Sequence, residues 1–273
     1  MSFEGASEGD SVRGFARNLI LLLQADLHRW KLEGRRVPVS FSGGLDSTLI
    51  AKVCSDLAET YCIVAGAPGS IDLKNARTSA EKLDLELVEV SLDEERVLEG
   101  AREICRITGS KDPLTVSFEL PTYLSLRRAK EDVIITGQGA DELFGGYAKY
   151  EGLTAEEFDK NRREDIGKVL GPIEAMESEI AAHWGKSIVR PFLCNHIVSF
   201  AMALPLEAVR PSNARKPIIR EALRELGMAD VASMPKKASQ YGSGVSNLLK
   251  KAAKKRGESL GRMIADLAEE GAS

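Results

Sequence analysis

The sequence predicts an α/β fold, a doubly wound parallel sheet with a helical C-terminal part. Apolar, β-rich runs near residues 37–41, 61–65, 85–90 and 132–136 alternate with helix-forming stretches, which is the rhythm of βαβ units. Two glycine-and-acid segments, Ser42-Gly43-Gly44-Leu45-Asp46-Ser47-Thr48 and Gly137-Gln138-Gly139-Ala140-Asp141-Glu142-Leu143-Phe144-Gly145-Gly146-Tyr147, each follow such a run, at the carboxyl end of a strand where ligands of doubly wound sheets bind. Past Tyr147 the β-rich runs nearly vanish and helical patterns take over.

The chain begins with an amphipathic helix over about 11–32, with Phe15, Leu19, Leu22, Leu23 and Leu27 at helical spacing and Arg13, Arg17 and Asp26 on other faces. Val37-Pro38-Val39-Ser40-Phe41 reads as the first buried strand, running through Ser42, Gly43 and Gly44 into a helix over 45–57. Adjacent glycines reach backbone angles closed to other residues, so several N–H groups can converge on one anion at the positive end of that helix. A tight turn with Asp or Ser capping the helix is the plainer reading of the segment taken alone. No Gly-Lys-Ser/Thr closes this segment and the full Gly-x4-Gly-Lys-Ser/Thr pattern occurs nowhere, so a phosphate loop for γ-phosphoryl transfer is not indicated; pyrophosphate is the better fit. Helices are expected near 155–169, 173–182, 195–203, 216–226 and 245–256, folded back across the nucleotide. The expected division is an N-terminal helix over 1–34, an α/β unit over 35–150 and a helical region over 151–273 that completes the site.

Composition narrows the function classes. A chain of 273 residues, 43% hydrophobic, can bury one large core or two modest ones, and its net charge of −4 gives no global pull toward nucleic acid. No apolar run approaches a membrane span and no basic-then-apolar leader opens the chain, so the expectation is a cytoplasmic protein with no membrane partner. Cysteines 54, 62, 105 and 194 lack Cys-x-x-Cys spacing, against a structural zinc site or a dithiol redox motif; three of them read as core residues. Cys194 has His196 two residues on, a spacing that on a helix would point the two apart. The basic run 248–256 is expected as a solvated helix face; binding RNA phosphates is the sharper alternative.

Both glycine segments, in this order, resemble the synthetase domain of the asparagine synthetase family, whose relatives include the β-lactam and carbapenam synthetases, all ATP pyrophosphatases. Gly66-Ala67-Pro68-Gly69-Ser70-Ile71-Asp72 resembles the family's Gly-x-Pro-Gly-Ser-x-Asp, Arg190-Pro191-Phe192-Leu193 its Arg-x-Pro-Phe-Leu, and Lys216-Pro217-Ile218-Ile219-Arg220-Glu221 its Lys-x-Ile-Leu-Arg-Glu. Lys236, ahead of Gly242-Ser243-Gly244, has the spacing of the family's catalytic lysine, with Lys237 its rival.

The resemblance implies an adenine nucleotide α-hydrolase-like fold and an ATP-dependent carbon–nitrogen ligase. Its cofactors would be ATP and Mg2+, with Asp46 and Asp141 on the metal, and Ser42, Gly43, Gly44 and Ser47 on the pyrophosphate. Lys236 and Lys216 would meet leaving-group charge, and Phe41, Ala65 and Gly137 would stand at the adenine. Gln138 stands where asparagine synthetases usually carry a glutamate tied to the ammonia half-reaction, and glutamine cannot act as a general base near neutral pH. Cys194 replaces an acid that faces the substrate, and Ser117 lies in the segment where the family has an arginine; with Gly139 these positions are expected at the acceptor, so the aspartate pocket reads as rewritten.

The family's N-terminal glutaminase domain begins with a catalytic cysteine, whereas this chain opens Met1-Ser2-Phe3. Nitrogen is therefore expected from ammonia, an amine or a separate glutaminase subunit. The partners are a small carboxylate and that nitrogen donor, with a homo-oligomer left open. Two other readings stand beside this one: an RNA-modifying enzyme of the same nucleotide-loop class that adenylates a tRNA base, and a non-catalytic ATP-binding relative.

Overall fold

The computed structural model describes residues 8–210, 214–234 and 242–271. Five strands, β1 (Arg36–Ser40), β2 (Glu59–Gly66), β3 (Leu87–Ser91), β4 (Val133–Ile135) and β5 (Ser187–Val189), form one sheet in the order β3-β2-β1-β4-β5. All pairings are parallel. The order reverses between β1 and β4, where Val39 is in register with Ile135, so the two glycine segments leave the sheet side by side at its switch point. That juxtaposition places the site.

β5 departs from expectation. Ser187-Ile188-Val189 is too short to register as a strand by alternation, and its parallel pairing with β4 draws the C-terminal part into the sheet. The other four strands fall within two residues of the expected runs.

Ahead of the sheet lies α1 (Glu8–Arg29), and between the strands run α2 (Leu45–Ser55), α3 (Ile71–Leu83), α4 (Glu94–Thr108) and α5 (Pro113–Arg128). Their ends follow capping chemistry: Ser70, Asp93 and Asp112 accept backbone N–H groups at the starts of α3, α4 and α5, and Asp84 and Gly109 close α3 and α4 in left-handed conformations. After β4 come α6 (Ala140–Leu143), α7 (Ala155–Lys168) with a Thr154/Glu157 capping box, and α8 (Glu174–His183). Past β5 the chain forms α9 (Asn195–Ala203), α10 (Leu206–Val209), α11 (Pro217–Glu225), α12 (Ala229–Ala232), α13 (Val245–Lys255) and α14 (Leu260–Gly271).

One large apolar core joins Leu19, Leu23 and Leu27 of α1 to Leu49 of α2 and to Ile218 and Leu223 of α11; a second, under α4 and α5, takes in Leu249 of α13 and Ile264 of α14. Cys54, Cys62 and Cys105 are buried, as expected, and Asp26, off the leucine stripe of α1, is only 5% exposed. Among the described residues no helix is long and apolar enough to cross a membrane.

Candidate active site

A cavity of about 630 Å³ opens at the carboxyl ends of β1 and β4. It brings together eight of the expected residues: Ser42, Asp46, Ser47, Ser117, Gly137, Gln138, Gly139 and Asp141. The first loop holds its shape by local bonds, with the Ser42 and Ser47 hydroxyls 3.3 Å apart and the Gly44 N–H donating to Ser42 Oγ at 3.3 Å. Gly43 takes a positive φ of 68°, and a Cβ there would lie 2.3 Å from backbone atoms of Asn75 and Ala76, so only glycine fits. Gly44 then caps α2, placing the positive end of that helix at the loop.

Lys216 is fully buried between the two aspartates, with Nζ 2.6 Å from Asp46 Oδ2 and 2.7 Å from Asp141 Oδ1. The residue is itself left-handed (φ 59°) and caps α11, so both the helix start and the backbone angle aim its side chain inward. Gly146 makes room for the pair: a Cβ at that position would fall 1.8 Å from Asp141 Oδ1 and 2.1 Å from Lys216 Cε. Two hard carboxylates from separate loops thus converge on one cation, the donor set that Mg2+ prefers, and they fit the divalent metal implied by the resemblance. Arg220 braces the same segment, donating to the carbonyls of Arg215 at 2.8 Å and Met234 at 2.9 Å. Beside Asp141, burial first and then the Asp141 charge push the Glu142 carboxyl up to about 7.

The far wall is a closed ring of charge-assisted bonds. Arg190 Nε donates to Glu177 Oε2 at 2.7 Å and to Gln138 Oε1 at 3.0 Å, and Gln138 Nε2 donates to Glu177 Oε1 at 2.9 Å. Both ends of the Gln138 amide are therefore engaged in this ring. Glu119 lies beside this ring, 1% exposed, and burial followed by the Glu177 charge holds its carboxyl well above the usual range against the pull of Arg190. Burial likewise raises Glu177. Nothing in the sequence marked Glu177 on α8, whose pattern is that of an ordinary helix; Asp72, which also lines the cavity, was within reach as the acid closing the Gly-x-Pro-Gly-Ser-x-Asp segment. The Ser117 hydroxyl donates to Pro113 O at 2.6 Å inside α5, next to the half-exposed ring of Phe118.

Three expected positions lie elsewhere. Phe41 and Ala65 are core residues rather than cavity walls, Phe41 on a strand end whose N–H donates to Ile63 O at 2.7 Å. Cys194 lines a different cavity, of about 860 Å³, beside Asp26, Trp30 and Lys186. It also meets His196, with Sγ 3.3 Å from Nε2, because Cys194 is the extended residue before α9 and not part of the helix, so the spacing that separates side chains on a helix does not apply. Burial, then Asp26, raises the Cys194 thiol to about 11. Lys236, with Lys237, lies outside the described residues; Ser243, just beyond them, lines the first cavity and its carbonyl accepts the Ala67 N–H at 2.8 Å. The basic α13 packs Leu249, Ala252 and Ala253 inward and pairs Lys255 with Glu94 at 2.6 Å.

The family model for asparagine synthase matches residues 22–178, more than half of the chain. The chain belongs to the asparagine synthase family. A putative glutamine-hydrolysing asparagine synthetase of Methanocaldococcus jannaschii is 30% identical over 267 residues, covering 84% of this chain and 49% of that protein. The glutamine-hydrolysing asparagine synthetase of Gallus gallus is 28% identical over 251 residues, covering 85% and 44% respectively. This asparagine synthase family member thus spans about half the length of the curated relatives it matches. A solved NMN synthetase from Francisella tularensis aligns over 95% of this chain and 92% of its own at 12% identity and a TM-score of 0.45, too distant to bear on the site.

Proposed function

We propose that this chain carries the ATP-dependent, amide-forming half of an asparagine synthetase-like reaction, with aspartate as the default acceptor. The observation that carries the reading is the convergence of Asp46 and Asp141, from two loops at the switch point of the sheet, on one cation beside a glycine turn at a helix N-terminus. An anion-binding turn and two hard carboxylates at one sheet end suit a nucleotide whose α,β-bridge is to be broken.

In this reading an acceptor carboxylate oxygen attacks the α-phosphorus, the α–β bridging bond breaks, and pyrophosphate leaves with the electron pair. A nitrogen nucleophile then adds to the acyl carbon, AMP departs, and the nitrogen gives up a proton as the amide forms. Asp46 and Asp141 would hold Mg2+, which supplies charge neutralisation at the phosphates. Ser42, Gly43, Gly44 and Ser47 would bind the leaving pyrophosphate, and Lys216, once the aspartates hold Mg2+, would join Lys236 in meeting the charge that grows in the transition state. The Gln138–Glu177–Arg190 ring fixes the acceptor wall, and the nitrogen comes from ammonia, an amine or a separate glutaminase subunit. Aspartate is the default because the matching relatives are named asparagine synthetases. Gln138 and Ser117, which line the first cavity, and Cys194, which lines the other, all depart from the family pattern, so an unrelated carboxylate is the alternative acceptor.

The test is AMP and pyrophosphate release by the purified protein with Mg·ATP, with and without L-aspartate and ammonium, and with Asp141→Ala as control. Release that depends on aspartate, yields asparagine and is lost in Asp141→Ala is the expected outcome. Absence of release with any carboxylate and ammonium would overturn the reading.

A further inference from the structure

The second cavity, on the α1–α9 side of the molecule, carries chemistry that the ligase reading does not use. Asp26 projects from the turn of α1 that also supplies Leu23 and Leu27 to the core, and it is almost wholly buried there. A buried carboxylate in an apolar stripe needs compensation by charge or hydrogen bonds. Its nearest arginine, Arg29, stands 3.9 Å away on an exposed side chain, a weak partner.

What faces Asp26 instead is Cys194 and His196. Cys194 Sγ lies 3.3 Å from His196 Nε2, Asp26 Oδ1 lies 4.0 Å from that same nitrogen, and the ligand atoms of all three residues fall within 4.8 Å of one another. A Cys–His–Asp relay for nucleophilic catalysis requires the acid on one ring nitrogen and the thiol on the other. Here both converge on Nε2, which rules out a relay and describes donors arranged around a common point. With metal–sulfur and metal–nitrogen bonds of about 2.3 and 2.0–2.1 Å, the edges of a tetrahedral zinc site are roughly 3.3–3.6 Å; the Cys194–His196 edge of 3.3 Å is at that spacing, and the edges to Asp26, 4.0 Å to His196 and no more than 4.8 Å to Cys194, would shorten on binding.

We propose that Asp26, Cys194 and His196 form a three-ligand site for a borderline-soft divalent cation of the zinc type, which ties α1 to the start of α9 and keeps its fourth position open toward the cavity. The ligand types match such an ion: thiolate and imidazole select zinc or cobalt over magnesium, which Asp46 and Asp141 suit instead. Asp26 and Cys194 both line the cavity, and Lys186 and Arg190 on its walls would favour water, hydroxide or a small anion as the fourth ligand.

The experiment is a Co2+ titration of the full chain after chelator treatment and removal of any affinity tag, followed by displacement with Zn2+. The expected result is one equivalent of Co2+ with a tetrahedral visible spectrum and a thiolate-to-cobalt charge-transfer band, abolished by excess Zn2+. Since Cys54, Cys62 and Cys105 are buried in the cores, that band reports Cys194, and Cys194→Ser should remove it. Asp26→Asn should weaken binding while leaving the far-ultraviolet circular dichroism unchanged. No binding by the parent protein, binding without the thiolate band, or a band that survives Cys194→Ser overturns the proposal.

Discussion

Replacing Lys216 by methionine keeps nearly the volume of the side chain, ends one atom short of the ammonium and removes its charge. In the parent, the ammonium holds Asp46 and Asp141 at 2.6 and 2.7 Å, so the two carboxylate oxygens are no more than about 5.3 Å apart. At an effective dielectric of about 20, two such charges repel by roughly 3 kcal/mol, and removing one partner of a buried ion pair costs about 3–5 kcal/mol in measured cases. Lys216→Met should therefore lose on the order of 3–5 kcal/mol without divalent cations, read as a lower urea midpoint with an unchanged m-value.

The same geometry predicts a rescue. With the ammonium gone, Mg2+ can occupy the position between the carboxylates, and a ligand that binds only the native state stabilises it by about 2.7 kcal/mol at a hundredfold excess over its Kd. The variant should recover a substantial part of its loss as MgCl2 is added, more than the parent gains, because in the parent the cation must displace Lys216. A loss below about 1 kcal/mol would refute the reading of Lys216 as a buried counter-ion. A full loss that MgCl2 leaves untouched would show that the aspartates do not form a cation position.

The remaining predictions test the walls of the site and the helix that follows. Gly146→Ala should disrupt the Lys216–Asp141 contact, since its Cβ would fall 1.8 Å from the carboxylate, and should abolish pyrophosphate release; a variant with parental activity would show that the loop yields cheaply. Glu119, raised above its ordinary value of 4.5, contributes stability that is present below that value and lost as pH rises through the folded-state value. Glu119→Gln mimics the protonated form, so it should be more stable than the parent at alkaline pH and lack that advantage in acid; superimposable pH profiles of unfolding would refute this. Gln138→Ala removes both of the amide's bonds in the ring and should impair amide formation more than adenylation, seen as AMP release uncoupled from product; equal losses in both steps would count against an acceptor-wall role. Thr154→Ala breaks the capping box of α7 and should cost about 1 kcal/mol with activity unchanged, checked by urea unfolding.

Most of the sheet was legible because its signals are local. A β-rich run needs nothing beyond its neighbours to declare a strand, and four strands were found on that basis, three of them leading into glycine. β5 was not, because three residues carry no periodicity and its pairing with β4 is a tertiary fact. The same divide runs through the site: the loop residues that gather at β1 and β4 are contiguous motifs, whereas Glu177 reaches the cavity from the middle of a helix whose sequence would be equally at home on a solvated surface.

Arg190 and Cys194, four residues apart in sequence, part company: Arg190 bonds Glu177 and Gln138 at the first cavity, while Cys194, past a short turn of 3₁₀ helix at Pro191–Leu193, lines the second. Arg190 also lines the second cavity, so one guanidinium stands between the two. Any change there must be felt on both sides: losing it would open the Gln138–Glu177 ring and leave the raised carboxyls of Glu119 and Glu177 with no cation in the ring to oppose their burial. The proposed acceptor wall and the wall behind the proposed metal site therefore share Arg190, so a substitution of Arg190 would test whether the two cavities are coupled.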